Sequence, residues 1–553
     1  MLVIEQTKGQ TLDSWAKINW SAVERIVERL QARIYRAAEQ GHHAKVKNLQ
    51  KLLARSTSTK LLAIRRVTQE NKGRHTPGID GKVCKTPEDR LELLKDGLSL
   101  NGYRPKPVRR VYIPKSNGKQ RPLGIPTIKD RVMQCIIKSA LEPEWESRFE
   151  ANSYGFRPGR NTMDALTAIH TTLNQKDARK WILDADIGGC FDNIDHDRLL
   201  KRIPVFTRTI RRWLKAGVAE FGTYKDTHTG TPQGGIISPL LANIALDGME
   251  RLFGCETAKG KPIPPGKRYG RNLGINLIRY ADDFVVTAPS KEVLETYVKP
   301  RLVEFLAERG LKLNDAKTRI VHVDEGFNFL GFTIRSYNGK LLTKPQKEKV
   351  QAHLRRIKNY LRRNQQTPAW RVVKDLNPIT RGWANYYRHG ASKVTFEKVD
   401  HKVWQKLWPW AKRRHPNKTS KWVRKRYFTQ DGYWRLHEGN ATMIRHSDTA
   451  VTRYVKISGK ATPMNPTQKD YWEKRRRRNV ARAMGSRQRL ELLRRQNNKC
   501  ARCGRDFLPG EGIDHIDDHH VQPRSRGGTN KLENRELAHR WCHHAYHGRK
   551  GYK

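Results

Sequence analysis

The stretch Leu277-Ile278-Arg279-Tyr280-Ala281-Asp282-Asp283-Phe284-Val285-Val286 sets two adjacent carboxylates inside an apolar, strand-like frame. The pattern predicts a β-hairpin with Asp282 and Asp283 at its tip. Carboxylates side by side repel one another, so the arrangement is costly unless something positive sits there. A divalent cation meets that need, because Mg²⁺ binds through one or two carboxylates together with substrate phosphates. A third carboxylate stands upstream in Trp181-Ile182-Leu183-Asp184-Ala185-Asp186-Ile187, a second apolar, strand-like run. Asp186, Asp282 and Asp283 are together expected to hold two Mg²⁺ ions roughly 3.5–4 Å apart, clamping the attacking and leaving oxygens of a phosphoryl transfer. The plain alternative, a polar turn that happens to carry Asp-Asp, loses ground once the neighbouring motifs are added.

At 553 residues the chain is expected to form several domains. Its 110 Lys and Arg residues outnumber 54 Asp and Glu, a formal net charge of +56 spread along the whole length. Such a charge repels itself without an anionic partner, and nucleic acid is the leading candidate because phosphate contacts release counterions. An acidic membrane surface is the competing explanation. No apolar run reaches the roughly 18–20 residues a membrane span needs, so no membrane is expected. Met1-Leu2-Val3-Ile4-Glu5-Gln6 lacks the layout of a signal peptide, so the protein is expected to stay inside the cell.

Of the seven cysteines, Cys84, Cys135, Cys190 and Cys255 are scattered and read as reduced thiols. Cys500, Cys503 and Cys542 crowd near the C-terminus at metal-like spacing. Helical periodicity runs through 21–70 (Val23, Ile26, Val27, Leu30, Ile34, then Leu49, Leu52, Leu53) on a basic background. Pro77-Gly78-Ile79-Asp80-Gly81 is a turn, after which strands and helices alternate to about 340. Within that span, Arg109 to Lys115, the Asn117-Gly118 turn and Arg121 to Pro126 predict a hairpin. Residues 345–430 are helical and very basic, with interleaved Trp383, Tyr386, Tyr387, Trp404, Trp408 and Trp422. The less regular stretch that follows ends in Lys474-Arg475-Arg476-Arg477-Arg478, read as a phosphate-contacting run rather than a solvated helix face.

Six segments in order carry a resemblance: Arg121-Pro122-Leu123-Gly124-Ile125-Pro126, Ser153-Tyr154-Gly155-Phe156-Arg157-Pro158, Asp186 through Asp192, Thr231-Pro232-Gln233-Gly234-Gly235, Tyr280 through Asp283, and Phe329-Leu330-Gly331-Phe332. Each alone is weak, but in this order residues 80–340 resemble the reverse transcriptase core of group II intron-encoded proteins. The resemblance implies that the Ile187 carbonyl adds a metal ligand and that Phe191 places a ring under the sugar, excluding a 2′-hydroxyl. Lys119 and Arg121, in a fingers-like loop, would neutralise the incoming triphosphate. Gln233 and Gly234 would let backbone approach the template and nascent pair, and Lys317 would stabilise or protonate the leaving pyrophosphate. Phe329 through Phe332 resembles the hairpin that grips the primer. Arg381-Gly382-Trp383-Ala384-Asn385-Tyr386-Tyr387-Arg388 resembles the thumb used as a maturase domain, where Trp383, Tyr386 and Tyr387 would stack unpaired bases and Arg381 and Arg388 bridge phosphates.

Near the C-terminus, Cys500-x2-Cys503 followed by His539-x2-Cys542 makes a plausible closed Zn²⁺ tetrahedron that staples a small domain. Between the pairs lie Asp518-His519-His520 and Asn534, with His543 just beyond. This part resembles an HNH endonuclease. The resemblance implies His520 as general base, His519 and His543 as ligands of one catalytic divalent metal, and Asn534 as a brace for the loop bearing the base. A neutral imidazole near physiological pH suits that role. Asp514, His515, His544 and His547 offer substitute ligands. A zinc ribbon that only binds DNA is the simpler alternative.

The expectation is therefore a multidomain α+β chain built like a right-hand polymerase, with an RRM-like palm sheet. It divides into a helical RNA-binding extension (1–79), reverse transcriptase fingers and palm (80–340), a helical thumb or maturase domain X (341–430), a basic DNA-binding segment (431–490), and a ββα-metal HNH module with a zinc site (491–553). The resemblance implies that the protein binds its parent group II intron RNA, promotes its splicing, nicks double-stranded target DNA, and copies the intron from dNTPs by target-primed reverse transcription. It also points to the cytoplasm or nucleoid of a bacterium, with an organelle open. The alternatives are a reverse transcriptase of another lineage, of retron or diversity-generating type, and a splicing-only RNA chaperone. Oligomeric state is not legible.

Overall fold

Three helices open the fold: the amphipathic α1 (Trp20–Glu39) and α2 (His43–Arg55), then α3 (Thr57–Arg65), buried from Leu61 through Arg65. The computed structural model describes residues 15–114, 118, 120–174, 179–220, 223–254, 274–484, 487–507 and 516–549. The Asn19 side chain caps α1 by accepting from the Ala22 amide at 3.1 Å. Val23, Val27 and Ile34 on α1, and Val46, Leu49 and Leu53 on α2, form the buried stripes. Leu52, which shares the periodicity, stays 50% exposed. After α4 (Pro87–Lys95), which a Thr86–Asp89 capping box starts, the long α5 (Ile128–Arg148) receives the opening helices. Gln31 Nε2 donates to Ser139 O at 3.0 Å and Gln50 Nε2 to Glu144 Oε2 at 2.6 Å, both out of water. The inner face of these helices is divided between the main core, which takes Val23, Val27 and Leu61, and a smaller cluster of Ile34, Val46, Leu49 and Leu53 with Ala140 of α5.

Strands β1 (Val108–Pro114) and β2 (Gln120–Ile125) form the predicted hairpin, with Pro114 opposite Gln120. Helix α6 (Thr162–Leu173) and β3 (Trp181–Asp186) follow, then the short β4 (Val218–Glu220) and β5 (Thr223–Lys225), which extend the first sheet in the order β2-β1-β4-β5. β6 (Asn276–Tyr280), β7 (Asp283–Ala288) and β8 (Arg319–His322) join β3 in an antiparallel sheet of order β6-β7-β3-β8. Side chains in a strand alternate between faces, and here both faces are covered. Leu183, Ala185, Leu277, Phe284 and Val286 enter the main core, while Ile182, Ile278 and Val285 enter a second core with Leu166 and Ile169 of α6. That double burial explains the apolar frame around the acidic tip.

β9 (Phe327–Phe329), β10 (Phe332–Tyr337) and β11 (Lys340–Pro345) make a three-stranded sheet whose first turn holds Leu330 and Gly331 at positive φ. Helices Lys347–Arg363, Ala369–Tyr387 and Lys393–Arg413 then build a separate core around Ile357, Val372, Leu376, Val403 and Trp410. The structure corrects one expectation here. Trp383 stacks on His353 (ring centroids 4.7 Å apart), Tyr387 is buried against Phe332 (4.9 Å), and Tyr386 Oη donates to Leu330 O at 2.8 Å. Spaced three and four residues apart, these rings share one helix face, on which Tyr386 and Tyr387 dock the helix onto the β9–β10 turn and Trp383 packs on His353 and His446. Tyr387 is therefore not free to stack a base, whereas Trp383 and Tyr386 are half-buried.

After the small ribbon β12 (His437–Glu438) and β13 (Ala441–Thr442), the chain returns to α6. The Ile457 amide donates to Asp164 Oδ1 at 2.7 Å, and Arg475, on the helix Lys469–Ala483, reaches the same oxygen at 3.0 Å. Arg476 pairs with Asp506 at 2.8 Å. The five-residue basic run is therefore divided: Arg475 and Arg476 are structural, whereas Lys474, Arg477 and Arg478 face solvent. The C-terminal module has its own small core, with β14 (Ile516–His520) and β15 (Arg535–His539) antiparallel and the helix Arg540–Arg549 against them. No helix among the described residues is long and apolar enough to cross a membrane.

Candidate functional site

Asp186 is the last residue of β3 and Asp283 the first of β7, and the register sets them directly opposite each other. Asp282 occupies the tight β6–β7 turn beside Ala281, whose φ is +60°. Burial, then the charges of Asp282 and Asp186, push the Asp283 carboxyl up to about 7. Burial, followed by the charge of Asp186, raises Asp282 as well. Lys317 Nζ lies 2.5 Å from Asp186 Oδ2, and that hydrogen bond raises the lysine's pKa. Asn314 holds the same carboxylate through Nδ2 at 3.2 Å, and its amide donates to Asp186 O at 2.8 Å. Three crowded carboxylates beside this lysine leave a local excess of negative charge, the condition that suits divalent cations.

The tip is held from behind by Arg279. Its buried guanidinium donates to Asn243 Oδ1 (3.1 Å), Ala281 O (3.0 Å) and Ser153 Oγ (2.7 Å). The Tyr154 amide donates to Arg279 O at 2.9 Å, so the 152–155 loop lies along β6. A Cβ on Gly155 would stand 2.3 Å from Ala281 N, which leaves room only for glycine. Gln233 O accepts from the Gly124 amide at 2.7 Å, and Gln233 Nε2 donates to Asp192 Oδ2 at 3.2 Å. Gly234, at φ +126°, would bring a Cβ within 2.7 Å of Gly124 O. Arg121, on β2, contributes a favourable charge at Asp282. Phe191 sits on the one-turn helix Cys190–Asn193, half-buried. Ile187 is buried and bridges to Leu313. Lys119 lies outside the described residues.

In the C-terminal module, potential ligand atoms of Cys500, Cys503, His539 and Cys542 all lie within 4.8 Å of one another. His539 Nδ1 is 3.4 Å from Cys503 Sγ and 3.9 Å from Cys542 Sγ. Those separations bracket the edge of about 3.5 Å expected for tetrahedral zinc with N and S ligands. The sulfhydryls of Cys503 and Cys542 push the Cys500 thiol strongly down, favouring a thiolate. A second cluster unites His519, His543 and His547, also within 4.8 Å. Alternation along β14 turns His519 inward, where its Nε2 is buried without a hydrogen-bond partner. Burial holds the His519 imidazole down at about 4, so it stays neutral and able to ligate. His543 Nδ1 lies 3.0 Å from Asp517 Oδ2, a contact that orients the ring of a ligand.

His520 turns to the opposite face, its Nε2 2.8 Å from Asn530 Oδ1. Asn534 clamps the following loop: its Oδ1 accepts from the Gln522 amide (2.8 Å), and its Nδ2 donates to Gln522 O (3.1 Å) and Thr529 O (2.8 Å). Asp514 and His515 lie outside the described residues, as does the side chain of His544. In the thumb-like helices, Arg388 Nε donates to Ala450 O at 3.2 Å, and Arg381 is half-buried.

Sequence reasoning passed over Arg279 and Asn314, and offered His547 only as one of several substitute ligands, where the structure groups it with His519 and His543. A cation between apolar strand residues signals the first. The His543-x3-His547 spacing, one helical turn, signals the last.

Family models match four parts of the chain: an N-terminal domain of reverse transcriptase (15–96), reverse transcriptase, RNA-dependent DNA polymerase (113–334), a group II intron maturase-specific domain (350–428) and an HNH endonuclease (500–549). Protein YkfC of Escherichia coli is 36% identical over 314 residues, covering 51% of this chain and 82% of that protein. Group II intron-encoded protein LtrA of Lactococcus lactis subsp. cremoris is 33% identical over 320 residues, covering 48% of this chain and 53% of LtrA. A telomerase structure from Candida albicans aligns over 58% of this chain and 64% of that one at 12% identity, with a TM-score of 0.31, a likeness too distant to argue from. Fold, carboxylate site and matched domains define a reverse transcriptase. The chain belongs to the group II intron-encoded proteins, reverse transcriptases that carry a maturase-specific domain and here an HNH endonuclease domain.

Proposed function

We propose that the protein binds its parent group II intron RNA, promotes its splicing, nicks one strand of double-stranded target DNA, and copies the intron from dNTPs using the freed 3′-hydroxyl as primer. The observation that carries this reading is the pairing of Asp186 opposite Asp283 with Asp282 in the adjoining turn, inside the matched reverse transcriptase span.

In this reading the four-stranded antiparallel sheet is the palm and the β1–β2 hairpin belongs to the fingers. The helices from Lys347 to Arg413 are the thumb, and the segment after 431 links it to the nuclease. Asp186, Asp282 and Asp283, with the Ile187 carbonyl, would hold two Mg²⁺ ions, which when bound stabilise the attacking and leaving oxygens of nucleotidyl transfer. Arg121, with Lys119, neutralises the triphosphate. Lys317 exchanges its bond to Asp186 for the leaving pyrophosphate, and Phe191 excludes a 2′-hydroxyl. Gln233 and Gly234 support the nascent pair. In the nuclease, His519, His543 and His547 would hold one divalent ion, which when bound polarises the scissile phosphate. His520 takes the proton of the attacking water while Asn534 fixes its loop. Cys500, Cys503, His539 and Cys542 would hold a structural Zn²⁺. Arg381 and Arg388 remain candidates for phosphate contact on the thumb.

Primer extension on an RNA template tests the polymerase. Asp282→Ala or Asp283→Ala is expected to abolish cDNA synthesis while RNA binding persists. Normal extension by either purified variant would refute the reading.

A further inference from the structure

Two phenylalanines meet beside the carboxylate site, and only Phe191 has a role so far. Phe156 adopts φ +60°, a left-handed conformation that bulky residues rarely take. Its ring is 49% exposed. Strain of this kind persists only where the surroundings over-determine it, and it gathers at functional sites.

The surroundings do so on both sides. Before Phe156, Gly155 is wedged against Ala281, and its carbonyl accepts from Asn243 Nδ2 at 2.8 Å. After it, the buried Arg157 guanidinium grips Glu146 through Nε (2.9 Å) and Nη2 (3.0 Å). The same guanidinium donates to Glu150 O (2.7 Å) and Ser153 O (2.8 Å). The loop cannot relax without breaking contacts that reach the catalytic turn.

That strained placement brings the Phe156 ring edge-to-face onto Phe191, with centroids 6.2 Å apart and planes at 81°. Phe191 rides on a single helical turn opened by Gly189 at φ +56°, so its own element does little to fix the ring. Its other flank packs on the main core. On the far side, Phe156 lines a cavity of about 420 Å³ shared with Gln31, Lys138 and Ser139. Without the Phe156 ring, Phe191 keeps only its packing on the core side.

We propose that Phe156 is a positioning residue for sugar selection, holding the Phe191 ring in the orientation that excludes a 2′-hydroxyl. The proposal rests on the reading of Phe191 as the residue beneath the incoming sugar. It accounts for an exposed aromatic residue at a position where glycine would be conformationally easier.

The test measures kcat/KM for a ribonucleotide against its deoxyribonucleotide on an RNA template, in the full chain. Phe156→Gly suits the positive φ and removes the ring. It is expected to raise the ribonucleotide share by about two- to tenfold, the worth of an edge-to-face pair. Phe156→Tyr should keep the wild-type ratio. The double variant with Phe191→Ala should be no more permissive than Phe191→Ala alone. If Phe156→Gly is inactive, Phe156→Leu gives the same ratio. A wild-type ratio in Phe156→Gly and Phe156→Leu, while Phe191→Ala relaxes selection, overturns the proposal and spares the reading of Phe191. A wild-type ratio in Phe191→Ala overturns both.

Discussion

Asp164 in α6 and Arg475, 311 residues later, form an ion pair at 3.0 Å with both side chains almost wholly out of water. The pair ties the segment before the nuclease module to the outer helix of the catalytic sheet. Asp164 also closes the capping box of α6 with Asn161 and accepts from the Ile457 amide, so its carboxylate is well satisfied. Removing one member of such a pair leaves an uncompensated buried charge. Arg475→Ala is therefore expected to destabilise the protein by about 3–5 kcal/mol. Arg478→Ala, on the exposed face, should stay within about 0.5 kcal/mol and instead weaken nucleic-acid binding at low salt. Denaturant melts and salt-dependent binding of the two variants check this, and equal losses of stability would contradict it.

Asp283 gives the carboxylate cluster a pH signature. Its folded pKa, about 7, stands above the ordinary value of about 3.9. The folded protein keeps a proton that the unfolded chain releases across that window. The stabilisation is whole below about pH 4 and is lost as pH rises towards 7. In Mg²⁺-free buffer, Asp283→Asn is expected to flatten the fall of Tm between pH 5 and 7.5, which scanning calorimetry reads directly.

The Cys500, Cys503, His539 and Cys542 cluster lies in a core separate from those of the polymerase. Cys503→Ala is expected to lose one bound zinc per chain by atomic emission and to abolish nicking. Primer extension in Mg²⁺ should remain within about twofold of wild type, as expected for distant, independent sites.

His547 completes a three-imidazole cluster with His519 and His543, whereas His520 faces away from it. Two different failures follow. His547→Ala should nick poorly at low divalent metal and recover as the metal is raised. His520→Ala should bind metal normally and stay inactive at any concentration. Metal titration by calorimetry alongside a nicking assay separates them.

Tyr387 is buried between Trp383 and Phe332, whereas Trp422 is 38% exposed on the basic helix Ser420–Tyr427. Tyr387→Ala is expected to cost about 3–5 kcal/mol of stability, as for other large aromatic deletions. Trp422→Ala should change stability by less than about 1 kcal/mol while lowering RNA affinity, because an exposed ring can stack a base. Chemical denaturation and RNA filter binding distinguish the two.

Much of this was legible in the chain because the signals are local. Apolar residues flanking Asp282-Asp283 marked two strands and a tip, and Asp186 ended a third run of the same kind. Cys-x2-Cys and His-x2-Cys brought metal-ligating atoms to fixed spacings along the backbone. The sequence order of six short motifs indicated the polymerase class, because each motif's chemistry depends on residues within a few positions of one another.

What only the tertiary structure decided is which face each element turns inward and what it meets there. The same i, i+3, i+4 spacing that could offer Trp383, Tyr386 and Tyr387 to RNA turns Tyr386 and Tyr387 onto the β9–β10 turn and Trp383 onto His353. A run of five cations looks uniform along the chain, yet packing buries Arg475 against a carboxylate from a distant helix and leaves Arg478 in water. Phe156 gains its contact with Phe191 only because Gly155 and Arg157 are locked by partners far away in sequence. Helical and strand patterns state which residues share a face, whereas the free energy of burying that face depends on partners that no local pattern contains.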